Sequence, residues 1–103
     1  MQKVIDIDWQ MSDAHSLATS MLTDAFDNDP MMQLFDKDAR TRLAAYVVNA
    51  LREKSVNSMW AADSVTRDAV ARSPYGAFGS NLCSKVGSLV MKSLYPETYE
   101  ESW

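Results

Sequence analysis

At 103 residues the chain has the size of one domain, and 47% hydrophobic residues with three Trp supply a core that needs no staples. The single cysteine, Cys83, excludes an internal disulfide, and no apolar run approaches the roughly 20 residues that cross a bilayer. A net charge of −4 and a pI near 4.7 weigh against a nucleic-acid surface.

The opening MQKVIDIDWQ is polar and acidic. With the unpaired thiol and seven Met, it is expected of a cytoplasmic protein. From Val4 to Trp9 the residues alternate, with Ile5, Ile7 and Trp9 on one side and Asp6 and Asp8 on the other, which predicts a short strand. A lone strand needs a partner, and Ser58-Met59-Trp60-Ala61-Ala62 is the best candidate. Ser12 is the expected cap of a first helix, whose stripe is Ala14, Leu17, Ala18, Met21, Leu22, Ala25 and Phe26. Asp27-Asn28-Asp29-Pro30 ends it, and Asp29 with Pro30 opens a short helix through Phe35.

Asp38 is the expected cap of the longest helix, Ala39 to Lys54. Its core face is Leu43, Val47, Ala50 and Leu51, widened by Ala44, Tyr46 and Val48. A shorter helix from Val65 to Arg72, capped by Ser64, turns Val65, Ala69 and Val70 inward. Ser73 to Gly79, with Pro74 and two Gly, is the main loop. Ser80 or Asn81 caps a last helix to about Leu94, with Leu82, Val86, Leu89 and Val90 as its core face. Gly87 in mid-helix costs about 1 kcal/mol against Ala, which implies close approach by another element. The reading is therefore mainly α, four to five short helices in one domain over 1–94, with a tail over 95–103. An α+β arrangement built on the N-terminal strand is the alternative.

Charge is segregated along the chain. Residues 1–38 hold eight Asp against Lys3 and Lys37, a net −6; residues 39–92 hold eight bases against Glu53, Asp63 and Asp68, a net +5. Glu97, Glu100 and Glu101 make the tail −3. Either the ends fold back on the middle, or copies meet head to tail, or the charges are simply solvated.

Several constellations invite chemistry. The pairs Asp6/Asp8, Asp27/Asp29 and Asp36/Asp38 have the carboxylates that hard cations want, but an EF-hand beginning at Asp27 would meet Met31 and Met32 where it needs a ligand and Gly. Two of these pairs flank helix starts, where capping accounts for them. His15, with Asp13 and Ser16 beside it, suggests a triad, yet neighbours on one turn do not face one another. Cys83 near a helix start has the position of an activated thiol, or of an ordinary core cysteine. Gly76-Ala77-Phe78-Gly79-Ser80-Asn81 before Lys85 lacks the Gly-Lys-Ser/Thr element of a phosphate loop. No catalytic, cofactor or metal residue is assigned.

The tail concentrates Tyr95, Tyr99 and Trp103 among acids, and such aromatics dominate interfaces. It is expected to anchor a protein partner or to dock on its own domain. The residues assigned to partner binding are Tyr95, Tyr99, Glu100, Glu101 and Trp103, with Tyr46 on the wide helix face.

Ser12-Asp13-Ala14, then Leu22 through Pro30, then Phe35 and Arg42, resemble the N-terminal helical part of the GCN5-related N-acetyltransferases, a likeness spanning Met11 to about Gly76. The resemblance implies a strand at Met59-Trp60-Ala61-Ala62-Asp63. Such enzymes hold acetyl-CoA on a Q/R-x-x-G-x-G/A turn at a helix start. No such motif occurs here, so no cofactor residue carries over. The expected function is a non-enzymatic interaction or accessory protein, for example a subunit, a small virus-encoded protein or a homo-oligomer. A repurposed acetyltransferase-like domain and a nucleic-acid binder using the basic middle are the alternatives.

Overall fold

Apolar residues at three- and four-residue spacing, punctuated by Asn28, Pro30, Ser73 and Pro74, fold into helices as their period requires. The computed structural model describes residues 9–56 and 58–95. In chain order they form α1 (Ala14–Asp27), α2 (Lys37–Glu53), α3 (Met59–Arg72) and α4 (Ser80–Leu94), with 3-10 turns at Met31–Leu34 and Gly76–Phe78. The protein is a mainly α small domain, and its radius of gyration of 12.7 Å is that of a folded chain of this length. α1 packs on α2, α2 on α3, α3 most extensively on α4, and α4 closes the ring on α1.

Each helix buries the stripe its neighbours can cover. α1 buries only its spacing-of-four row, Ala14, Ala18, Leu22 and Phe26, and leaves Leu17 half in solvent. α2, between α1 and α3, buries the wider set Leu43, Ala44, Val47, Val48 and Leu51. α4 buries Leu82, Val86, Val90 and Leu94, with Leu89 at the margin. The closest neighbour that a Cβ on Gly87 would meet is Asp63 Oδ1, at 2.8 Å, so the close approach to this glycine is made by a side chain of α3.

Four helix starts differ from expectation. α1 begins without a side-chain cap: the Ala14 amide donates to the Met11 carbonyl, and Ser12 lies one residue too early. Asp36, not Asp38, caps α2, its carboxylate accepting from the Ala39 amide at 2.8 Å; Asp38 lies in the first turn, where the helix dipole favours an anion. α3 starts at Met59, capped by Ser58, whose hydroxyl accepts from the Ala61 amide at 3.3 Å; Ser64 is inside the helix. The segment 58–62 is therefore no strand partner, and Met59–Asp63 is helical where the acetyltransferase resemblance implies a strand. α4 follows Gly79 at φ +86°, ψ −168°, a region nearly confined to glycine, so neither Ser80 nor Asn81 is the cap. The expected strand over Val4–Trp9 lies outside the described residues except for Trp9, which is in a turn; no strand occurs among the described residues.

The α2–α3 link ties the ring together. Ser55 takes a left-handed conformation at φ 48°, its amide donates to the Arg52 carbonyl, and the Val56 amide donates to the Leu51 carbonyl. That is a Schellman ending with Ser where glycine is usual, and it presses buried Val56 onto buried Leu51. The Val56 carbonyl then accepts two distant donors: the Trp9 indole at 2.7 Å and the Tyr95 hydroxyl at 2.9 Å. Tyr95 is fully buried, so the core runs one residue past the expected boundary and Tyr95 is not a free anchor for a partner.

Two stability outcomes are expected in urea titrations followed by circular dichroism. Tyr95→Phe alone costs about 1 kcal/mol, because Trp9 still satisfies the carbonyl; adding Trp9→Phe costs more than the sum of the single changes, because a buried acceptor is then left without a partner. Ser55→Gly raises stability by about 0.5–1 kcal/mol, since the left-handed conformation carries no Cβ penalty in glycine.

Candidate functional site

The segregated charges are largely paired with one another. Asp27, closing α1, accepts from Lys37 Nζ at 3.0 Å and Arg40 Nε at 2.9 Å, and Arg40 also donates to the Phe35 carbonyl at 2.6 Å. Asp29 holds the 3-10 turn by accepting from the Met31 and Met32 amides, and reaches Lys85 of α4 at 3.1 Å. Asp38–Arg42, Asp63–Arg67 and Asp68–Arg72 are pairs one turn apart within single helices. The acidic first third thus meets the basic middle through Asp27 and Asp29. Phosphate recognition would have to break most of these pairs. Arg52 and Lys54 have no ion-pair partner among the described residues.

The carboxylate pairs are consumed in this way. Asp27 and Asp29 face cations, and Asp36 and Asp38 serve a cap and an ion pair; Asp6 and Asp8 lie outside the described residues. No three of His, Cys, Asp and Glu converge among the described residues. His15 turns away from Asp13 and Ser16: its Nε2 lies 2.9 Å from Asn49 Oδ1, joining α1 to α2. Cys83 is half-buried and packs against the core. No described helix is long and apolar enough to cross a membrane.

Three concavities meet at the His15–Asn49 bond. A shallow groove of about 400 Å³ runs from His15 past Thr19 and Thr23 to Thr41, hydroxyl-lined and open. Tyr46, expected to widen the core face of α2, is instead 42% exposed and lines a second, between Asn49 and Glu53 of α2 and Ala69 and Arg72 of α3. A third, of about 210 Å³, lies between Trp9, Met11, His15 and Arg52. Of the other residues assigned to partner binding, Tyr99, Glu100, Glu101 and Trp103 lie outside the described residues.

A second feature escaped the sequence reading. The two 3-10 turns bring Phe35, Tyr75 and Phe78 together, with Phe35 edge-on to Tyr75 at 5.5 Å and to Phe78 at 5.1 Å. Phe35 is buried, but Phe78 is 59% exposed and Leu34, next to Phe35 in sequence, 77%. Gly76 permits the second turn, because a Cβ there would strike the Ala71 carbonyl oxygen at 2.2 Å. The only available signals were Leu34 outside any predicted stripe and an aromatic in a Gly-Pro loop. Trp60, on the first turn of α3, is likewise exposed.

The Asp27 node carries a pH dependence. Its hydrogen bond from Lys37, then that from Arg40, hold its carboxyl below the ordinary aspartate value of 3.8. A depressed folded value means that the stabilisation is present above the unfolded value and fades as pH falls through the folded one. Asp27→Asn therefore melts lower than the parent at neutral pH, and the two melting curves converge in strong acid. Comparison with protein-family models, with curated proteins and with solved structures finds no match to this chain.

Proposed function

We infer that this chain is a non-catalytic protein-interaction domain that docks through the apolar corner at Leu34, Phe35 and Phe78. The observation that supports the reading is the exposure of Phe78, edge-on to a Phe35 ring that is itself edge-on to Tyr75, with exposed Leu34 next to Phe35 in the chain. Exposed singly, such residues are ordinary; displayed together on rigid turns, they present binding area at little ordering cost. Covering both side chains is worth about 1.5–3 kcal/mol each. The knobs project outward, so the partner must supply an apolar pocket. Nothing in the hydroxyl-lined groove favours turnover in the same way, because its one imidazole is committed to Asn49.

Photocrosslinking tests the reading. A benzophenone amino acid at position 78, in protein returned to its native cells, is expected to give one dominant adduct that Leu34→Ser abolishes while the melting temperature holds. The same adduct pattern from a benzophenone at exposed Ser64, or no adduct at position 78, would overturn it. An acetyl-CoA-induced rise in melting temperature would favour the acetyltransferase-like alternative instead.

A further inference from the structure

The corner at Leu34, Phe35 and Phe78 is assembled from two parts of the ring. The turn Met31–Leu34 belongs to α1: it packs on that helix, and the Gln33 side-chain amide donates to the carbonyls of Asp27 at 2.8 Å and Asp29 at 3.2 Å. The turn Gly76–Phe78 belongs to α3 and α4. It packs on both, and Gly79, directly after it, leads into α4, its carbonyl accepting from the Cys83 amide at 3.3 Å. Leu34 and Phe78 therefore sit on separately anchored turns, and what joins the turns sets the surface that the two side chains offer together.

An aromatic contact and an ion pair make the join. The Phe35 ring is edge-on to Tyr75 and Phe78. Edge-to-face pairs stay favourable over centroid separations of roughly 4.5–7 Å, so this contact keeps the turns close without fixing their register. The ion pair is directional. Asp29, its side chain 11% exposed, accepts from the Met31 and Met32 amides through Oδ2 and from Nζ of Lys85 through Oδ1, at 3.1 Å. Lys85 is in the second turn of α4, 56 residues away. One carboxylate thus grips one turn by its amides and the helix that follows the other by a charged hydrogen bond, which is stronger and more orienting than a neutral one. Lys37 and Arg40, the next bases along the chain, are held by Asp27.

We propose, building on the reading of this corner as the docking surface, that Lys85 is a positioning residue for docking: its ion pair with Asp29 sets the spacing between positions 34 and 78. Removing its charge uncouples the two turns while each keeps its own fold, since the first retains its bonds to the Asp29 carboxylate and Gln33 and the second its contacts with α3 and α4. An apolar surface is in this way governed by one ion pair that lies outside it.

Electron–electron distance measurements between spin labels at Leu34→Cys and Ala77→Cys, in the full chain with Cys83→Ser, test the spacing without any partner. A narrow distribution is expected in the parent, a broad one shifted to longer distance in Lys85→Met, and a return to the narrow one in Lys85→Arg. A reference pair at exposed Ser20→Cys and Ser64→Cys is expected to be the same in all three. An unchanged 34–77 distribution in Lys85→Met overturns the proposal, and so does a broadening that the reference pair shares, which would make Lys85 a general stabiliser. The benzophenone adduct at position 78 is expected to fall severalfold in Lys85→Met and to recover in Lys85→Arg; an undiminished adduct alongside broadened distances overturns the link to docking. Absence of any adduct in the parent would strike the docking reading alone, because the distances report the coupling of the turns by themselves.

Discussion

A single main-chain oxygen, that of Val56, joins three parts of the chain that no local rule brings together. The indole of Trp9 and the phenol of Tyr95 both end on it, and the residue that carries it is positioned by the left-handed turn at Ser55. A buried carbonyl has two acceptor sites, and both are filled here by side chains from opposite ends of the described chain. The ring of four helices depends on that arrangement. α2 and α3 are joined by the link that carries Val56, while Trp9 leads into α1 and Tyr95 follows α4, so the oxygen fixes the entry and the exit of the ring together.

Electrostatics reinforces the same closure from another direction. A chain with an acidic first third and a basic middle could have used that polarity to attract other molecules. In the fold much of it is spent internally, with Asp27 drawing the start of α2 onto the end of α1 and Asp29 reaching across to α4. Arg40 is the most committed of the cations, gripping a carboxylate and a backbone carbonyl together while largely withdrawn from solvent. Exposed pairs one turn apart within a helix contribute a few tenths of a kcal/mol each; the partly buried pairs that join elements matter more, because they select which helices meet.

Six large apolar side chains stand among the charged ones at the surface of the described residues. Leu34, Phe78, Trp60 and Tyr46 are, with Met11 and Leu17, the large apolar side chains left to solvent among the described residues, and of these Phe78 belongs to a preformed aromatic contact, with Leu34 next in the chain to its partner Phe35. The groove beside α1 is lined by His15, Asp24 and hydroxyl-bearing residues, with the His15 ring held at Asn49, and the carboxylates of Asp27, Asp29, Asp36 and Asp38 are engaged with caps and cations. Such a distribution suits recognition by burial of surface, in which rigidity of the displayed groups is the asset.

Periodicity made α1, α2, α4 and the second half of α3 legible: the rows Ala14-Ala18-Leu22-Phe26 and Leu82-Val86-Val90-Leu94 are buried as their spacing implies, and Asn28-Asp29-Pro30 and Ser73-Pro74 stop helices where backbone chemistry demands. Those signals are local, so one chain segment is enough to state them. Helix starts were less legible, because Asp36 and Asp38, or Ser58 and Ser64, are equivalent as letters and only the hydrogen-bonding geometry at each start selects one. The burial of Tyr95, the outward turn of Leu34 and the meeting of Phe35 with Phe78 were decided by tertiary structure alone. Each depends on contacts between residues tens of positions apart, and no spacing rule carries information about a partner that the chain reaches only after the ring has closed.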